Sequence, residues 1–128
     1  MILENHEEIS KLPNCPLIND EKTITLFRFC ENNPISVTDI IPFAISKPEM
    51  FAQECLAWGL SLFNTREATV KIIKGLPTKK RKRIIAIGQI EVDNSIAVKH
   101  QSCDNINHYT LYPLKNVNLI SKFTTQDL

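Results

Sequence analysis

Five consecutive cations, Lys79, Lys80, Arg81, Lys82 and Arg83, are the most conspicuous group of chemically active side chains in the sequence. Five adjacent charges cannot all be buried, so they must face solvent. Phosphate groups are bound mainly through positive charge, and the run therefore predicts contact with a polyanion, nucleic acid included. Two alternatives stay open: P-T-K-K-R-K-R has the composition of a nuclear localisation signal, and a solvated connector would need no partner. No aromatic residue is interleaved within the run for base stacking.

A second group consists of His100, Cys103 and His108, in the pattern H-x-x-C-x-x-x-x-H. These residue types bind zinc, but a tetrahedral site needs a fourth ligand, which the neighbouring sequence lacks. We therefore expect a polar loop and no metal site. Cys103 and either histidine also have the residue types of a nucleophile and its base, although no other feature of the sequence supports that reading.

Arg28, Ser61 and Glu91 form a third group, because each falls on a predicted strand, in that order along the chain. A first-strand arginine, a serine strand followed at once by a helix, and a late glutamate resemble the layout of the ADP-ribosyltransferase superfamily. In that superfamily the arginine and serine position the nicotinamide dinucleotide, and the glutamate polarises a ribose hydroxyl during transfer. The resemblance implies NAD as the cofactor and these three residues as the catalytic set.

The resemblance covers residues 28–91, and two features depart from the family pattern. The serine strand reads L-S-L without hydroxyl neighbours, and Q-I-E-V has no second acidic residue two positions away. A domain that only binds the cofactor is therefore implied as well as an active one. Structural alternatives remain for Arg28, which could pair with an acidic residue such as Glu54, and for Ser61, which could be a small residue in a packed strand.

The elements around these groups are best specified between residues 64 and 92. Asn64 and Glu67 have the spacing of a capping box, and Gly75 followed by Pro77 ends a helix, which predicts a helix over residues 65–74 with Ile72 buried. The apolar run at residues 84–87 predicts a strand covered on both faces. Gly88 indicates a bulge or a close backbone approach.

The rest of the chain predicts an α+β fold. Alternation predicts strands at residues 23–30, 59–63, 96–101 and 108–112, the third forming a hairpin with the strand that ends at residue 92. Ser46 is predicted to cap a helix over residues 47–58. We expect an N-terminal arm or loop at residues 1–21 and a single compact domain at 22–124. Its sheet should be mixed or mostly antiparallel, with two main helices.

Charge is distributed unevenly along the chain. Residues 1–70 hold five Lys or Arg against ten Asp or Glu, a balance of −5, and residues 71–128 hold ten against four, a balance of +6. The two halves could neutralise each other in the fold, or the excess could form a basic face for a partner. Four dispersed cysteines without a C-x-x-C pair predict buried free thiols in a reducing compartment.

These features together predict an intracellular, cytoplasmic binding or regulatory module without catalytic activity, acting through the basic run on a protein or polyanion partner. No apolar run reaches the ~20 residues of a spanning helix, so no membrane association is expected. The acidic N-terminus differs from a secretory or mitochondrial leader. The alternative is an ADP-ribosyltransferase-like domain that binds or uses NAD.

Overall fold

A six-stranded antiparallel sheet forms the centre of the computed structural model, which describes residues 2–128. The strands are β1 (Ile24–Cys30), β2 (Leu60–Phe63), β3 (Ala86–Val92), β4 (Ala97–Gln101), β5 (His108–Pro113) and β6 (Thr124–Asp127). Their order across the sheet is β4–β5–β2–β1–β3–β6. The helices lie in the same single domain, which confirms the predicted α+β class.

Five α-helices accompany the sheet within the described residues: α1 (His6–Ser10), α2 (Phe43–Ser46), α3 (Pro48–Phe51), α4 (Arg66–Gly75) and α5 (Thr78–Arg81). The predicted continuous helix at 47–58 is wrong. Ser46 is the last residue of α2, and Lys47 lies outside the helical region at φ −136° and ψ 62° because a following proline disfavours that region. A new helix starts at Pro48, and a separate 3₁₀ turn spans Cys55–Trp58.

The second predicted main helix is confirmed as α4, with its cap moved by one residue. The Thr65 hydroxyl accepts a hydrogen bond from the Ala68 amide at 3.0 Å, whereas the Asn64 amide donates to the Asn107 carbonyl and prolongs the β2–β5 ladder. The buried face contains Thr69 and Ile73, whereas Ile72 is only half-buried.

The predicted hairpin between β3 and β4 is wrong. β4 lies at one edge of the sheet and pairs with β5, while β3 lies between β1 and β6. The amides of Ile96 and Ala97 both donate to the Asp93 carbonyl, and the Asp93 carboxylate holds the Ser95 amide at 2.8 Å. This helix-like turn directs the chain away from β3, so the other edge of β3 is left for β6.

Gly88 permits the close approach of side chains, whereas the prediction named a bulge or a close backbone approach. A Cβ atom there would lie 3.0 Å from the Phe123 ring, and the register opposite Arg28 runs without a bulge. Ile84, Ala86 and Ile87 are buried as expected, but Ile85, just before β3, is 49% exposed. The segment at residues 84–87 is therefore covered on both faces over only part of its length.

The N-terminal segment packs against the sheet through Leu3 and Ile9, which are buried beside Trp58 and Tyr112. A disulfide joins Cys15 to Cys55, with Cα atoms 5.6 Å apart, while Cys30 and Cys103 are free. The prediction of four free thiols is wrong for the bonded pair, because no local spacing marks two cysteines that only the fold brings together. Within residues 2–128, no helix has the length and apolar character needed to cross a bilayer.

Candidate functional site

A cleft of about 580 Å³ opens where β1 and β2 separate. The two strands pair at Phe27–Phe63, and no further pair joins them towards Cys30 and Leu60 among residues 2–128. Apolar side chains from two strands, three helices and the segments between them form most of the wall: Phe29, Ile41, Phe43, Phe51, Leu56, Phe63, Ile72, Leu76 and Ile84. An apolar cleft with a few polar groups is the usual form of a ligand site.

Arg28 spans the gap between the two strands. Its Nε donates to the Asp39 carbonyl at 2.7 Å, and its Nη1 donates to the Ser61 carbonyl at 2.6 Å. Burial lowers the pKa of Arg28, and the charges of Cys30 and Asp39 oppose that shift. The predicted pairing with Glu54 is wrong, because backbone carbonyls take the guanidinium instead. The planar fork of arginine suits two acceptors on different elements.

Ser61 and His108 form a hydrogen-bonded pair on the floor of the cleft. The Ser61 hydroxyl contacts His108 Nε2, and the Ser102 hydroxyl contacts His108 Nδ1. Burial lowers the pKa of His108, His100 lowers it further and Asp104 opposes the shift. The imidazole is therefore held neutral near pH 7 and can exchange a proton with a hydroxyl.

Sequence reasoning missed this pair because it arises across strands. Ser61 lies opposite Thr110 and Phe63 lies opposite His108, so the serine and histidine are diagonal neighbours on one face. No spacing in the chain marks such a contact. Among residues 2–128, no group of three His, Cys, Asp or Glu side chains is arranged to hold a metal ion.

Glu91 lies apart from Arg28 and Ser61. It faces Thr25 across the β1–β3 ladder and is exposed, while Arg28 faces Gly88. Side chains alternate along a strand, so Glu91 projects from the opposite face, roughly 10 Å further along it. The structure thus brings two of the three predicted catalytic residues together and leaves the third outside the cleft.

The basic run lies on the surface as α5 and the residues that follow it. Lys79, Arg81, Lys82 and Arg83 are exposed, and Lys80 is half-buried at the cleft. A single ion pair joins acidic and basic side chains within residues 2–128: Arg83 Nε lies 3.5 Å from Glu31, and both side chains are exposed. Direct pairing between the two oppositely charged halves is therefore limited to this one exposed pair within residues 2–128.

Three further lysines extend this positive surface. Arg81 Nη1 donates to the Lys74 carbonyl at 3.3 Å, which brings the end of α4 against α5. Lys71 and Lys74 are exposed one helical turn apart, and Lys47 approaches from α2 and α3. We call the resulting set the basic surface; it consists of Lys47, Lys71, Lys74, Lys79, Lys80, Arg81, Lys82 and Arg83.

An aromatic ring lies within the basic surface. Phe43, 47% exposed, has both Lys47 Nζ and Lys80 Nζ 5.6 Å from its ring centre. The Phe51 ring stacks on it at 5.5 Å. Phe43 lies far from the basic run in the sequence, so the run alone does not reveal that an aromatic ring is near it in the fold.

The chain matches no protein-family model, and comparison with curated proteins and with solved structures finds no similar one.

Proposed function

We propose that the protein is a non-catalytic binding module that holds a polyanionic partner through the basic surface. The observation that carries this proposal is the eight clustered cations, of which one, Arg83, has a carboxylate within ion-pair distance in residues 2–128. Unpaired surface cations attract phosphate or sulfate groups and release counterions when they bind. Such a role needs a charged surface and no reacting group.

Replacing Lys79, Lys80, Arg81, Lys82 and Arg83 with serine should abolish retention on heparin at moderate salt. Each lost contact to a single-stranded polyanion should reduce the slope of log affinity against log salt by about 0.7. The melting temperature should change little, because four of the five side chains are exposed and exposed charges contribute little to stability. Affinity chromatography and a salt titration by fluorescence anisotropy measure both effects.

A matched control removes five exposed cations elsewhere, namely Lys11, Lys22, Arg66, Lys115 and Lys122. This variant has the same net charge as the first but keeps the basic surface intact. Retention should persist in the control and disappear in the test variant. Equal loss of retention in both variants would show that binding depends on net charge alone. Unchanged retention in both would contradict the proposal.

Binding of a nicotinamide dinucleotide is a second candidate, supported by Arg28 and Ser61 sharing one cleft. The position of Glu91 outside that cleft favours binding without transfer chemistry. A rise in melting temperature with NAD would support this candidate, since a ligand stabilises the state that binds it.

The proposed cytoplasmic location rests on the sequence alone. The Cys15–Cys55 disulfide is an observation against it, because stable disulfides are rare in the cytosol. Thiol alkylation before and after reduction, on protein isolated from cells, would show whether the Cys15–Cys55 disulfide is formed in the cell.

A further inference from the structure

Phe43 is the exposed aromatic ring in the basic surface. Single large apolar side chains are common on protein surfaces. Helices α2 and α3 expose several of them. Phe43 differs from the others because two lysine ammonium groups, from Lys47 and Lys80, lie 5.6 Å from its ring centre. An aromatic face bordered by cations can contact a base and its phosphates together.

We propose that the polyanion is a single-stranded nucleic acid, with one base stacking on Phe43 and its neighbouring phosphates held by Lys47 and Lys80; this inference rests on the proposed function. Sequence-tolerant binding of single strands combines a positively charged groove with rings on which bases stack. Heparin, a phosphopeptide and a membrane surface supply anions but no base to stack.

The setting of Phe43 suits such a platform. Phe51, from α3, stacks on the Phe43 ring at a centroid distance of 5.5 Å and so supports it. Phe43 and Lys80 also line the mouth of the cleft, so a stacked base would have apolar wall beside it. Both lysines have flexible stems and can turn from the ring towards phosphate oxygens.

Duplexes should bind less well than single strands of the same length. A base within a duplex is already stacked on its neighbours and must be extruded before it can reach a protein ring, which costs free energy. The basic surface alone would favour the duplex, since its charge density is higher. The order of the two affinities therefore separates base contact from charge contact.

The experiment measures binding by fluorescence anisotropy with three labelled probes: a 12-nucleotide oligothymidylate, an abasic oligomer of the same length, and heparin. The wild type is also measured with a duplex of the same length. Phe43→Leu should weaken oligothymidylate binding by at least about fivefold, the lower end of one lost stacking contact. Its affinity for the abasic oligomer and heparin should be unchanged, as should the salt slope. Phe43→Tyr keeps the ring and should bind like the wild type.

Met50→Ala is the matched control, because Met50 is an apolar side chain of α3 with 69% exposure and no aromatic face. It should leave all three affinities unaltered. Thermal melting of each variant checks folding. Should Phe43→Leu fold poorly, the order of the wild-type affinities for single strand and duplex still tests the proposal, because it needs no variant.

Three results would overturn the inference while leaving the proposed function standing: equal loss on all three probes with Phe43→Leu, no loss on any, or a preference for duplex. Tight binding to phosphatidylserine-containing vesicles that depends on Phe43, without oligothymidylate binding, would assign the ring to a membrane surface instead. If the wild type binds neither heparin nor oligothymidylate, the proposed function itself fails.

Discussion

Arg28 shows how far a single residue can be interpreted from sequence. Alternation places its side chain on the face of Leu26, which predicts that the charge must be paired, extended to solvent or placed in a cleft. The structure shows a pair of backbone carbonyls as acceptors, from Asp39 and Ser61. The need for partners follows from the residue type, but their identity depends on where β1 and β2 separate, which no local pattern encodes.

Arg28→Lys should destabilise the protein by about 1–3 kcal/mol, because one ammonium group cannot reproduce two directed bonds to acceptors on different elements. Urea unfolding measures the change. Arg66→Lys is the control, since Arg66 is exposed at the start of α4 and should tolerate lysine. A variant as stable as the wild type, but no longer stabilised by NAD, would instead favour the dinucleotide candidate.

Among the elements, prediction succeeds where several local signals agree. Helix α4 has a polar cap, an apolar stripe and a glycine followed closely by proline at its end, and it forms within one residue of the predicted bounds. The prediction of a helix at 47–58 rests on a cap signal, on Pro48 and on the face that Phe51, Cys55 and Trp58 would share in a helix. The observed pieces are held by the Cys15–Cys55 bond, which is a tertiary contact, and by a local hydrogen bond from Trp58 Nε1 to the Ala52 carbonyl.

The face of α4 was harder to predict than its length. Ile72 and Ile73 are adjacent, and periodicity alone allows either to lie at the centre of the buried stripe. Ile73 is 4% exposed and packs with Ile84 and Ile87, whereas Ile72 borders the cleft.

Ile73→Ala should therefore destabilise the protein by about 2–5 kcal/mol, the range for removing a fully buried branched side chain. Ile72→Ala makes the same chemical change at a half-buried position and should cost clearly less. Urea unfolding of both variants measures the two losses in free energy of unfolding. A larger loss for Ile72→Ala would show that the helix presents a different face to the sheet.

At the scale of the whole molecule, the sheet consists of two three-stranded ribbons, β4–β5–β2 and β1–β3–β6, joined at one seam. Within each ribbon the ladders run over four residues or more, but β1 and β2 share the single pair Phe27–Phe63 in residues 2–128. The sequence predicts the strands but not this seam, since strand order depends on pairings between distant segments.

Amide hydrogen exchange should reveal the seam. The Asn64 backbone amide donates to the carbonyl of Asn107, the residue before β5, and a period of two places the Leu62 amide on the same side, against Tyr109. The Ser61 amide then faces the gap towards β1. It should exchange faster than that of Leu62 by at least about tenfold, as measured by NMR. Similar protection at both residues would mean that the β1–β2 ladder continues beyond Phe63.

The seam also links two properties that are usually adjusted separately. The cleft exists because β1 and β2 stop pairing, so its width and the cohesion of the sheet are set by the same few residues. Any change that adds a backbone pair between β1 and β2 narrows the cleft. Any change that widens the cleft removes a backbone pair. For evolution and for design alike, a larger cleft therefore means a less stable sheet, one backbone pair at a time. Arg28 is the first residue of β1 beyond the last pair with β2.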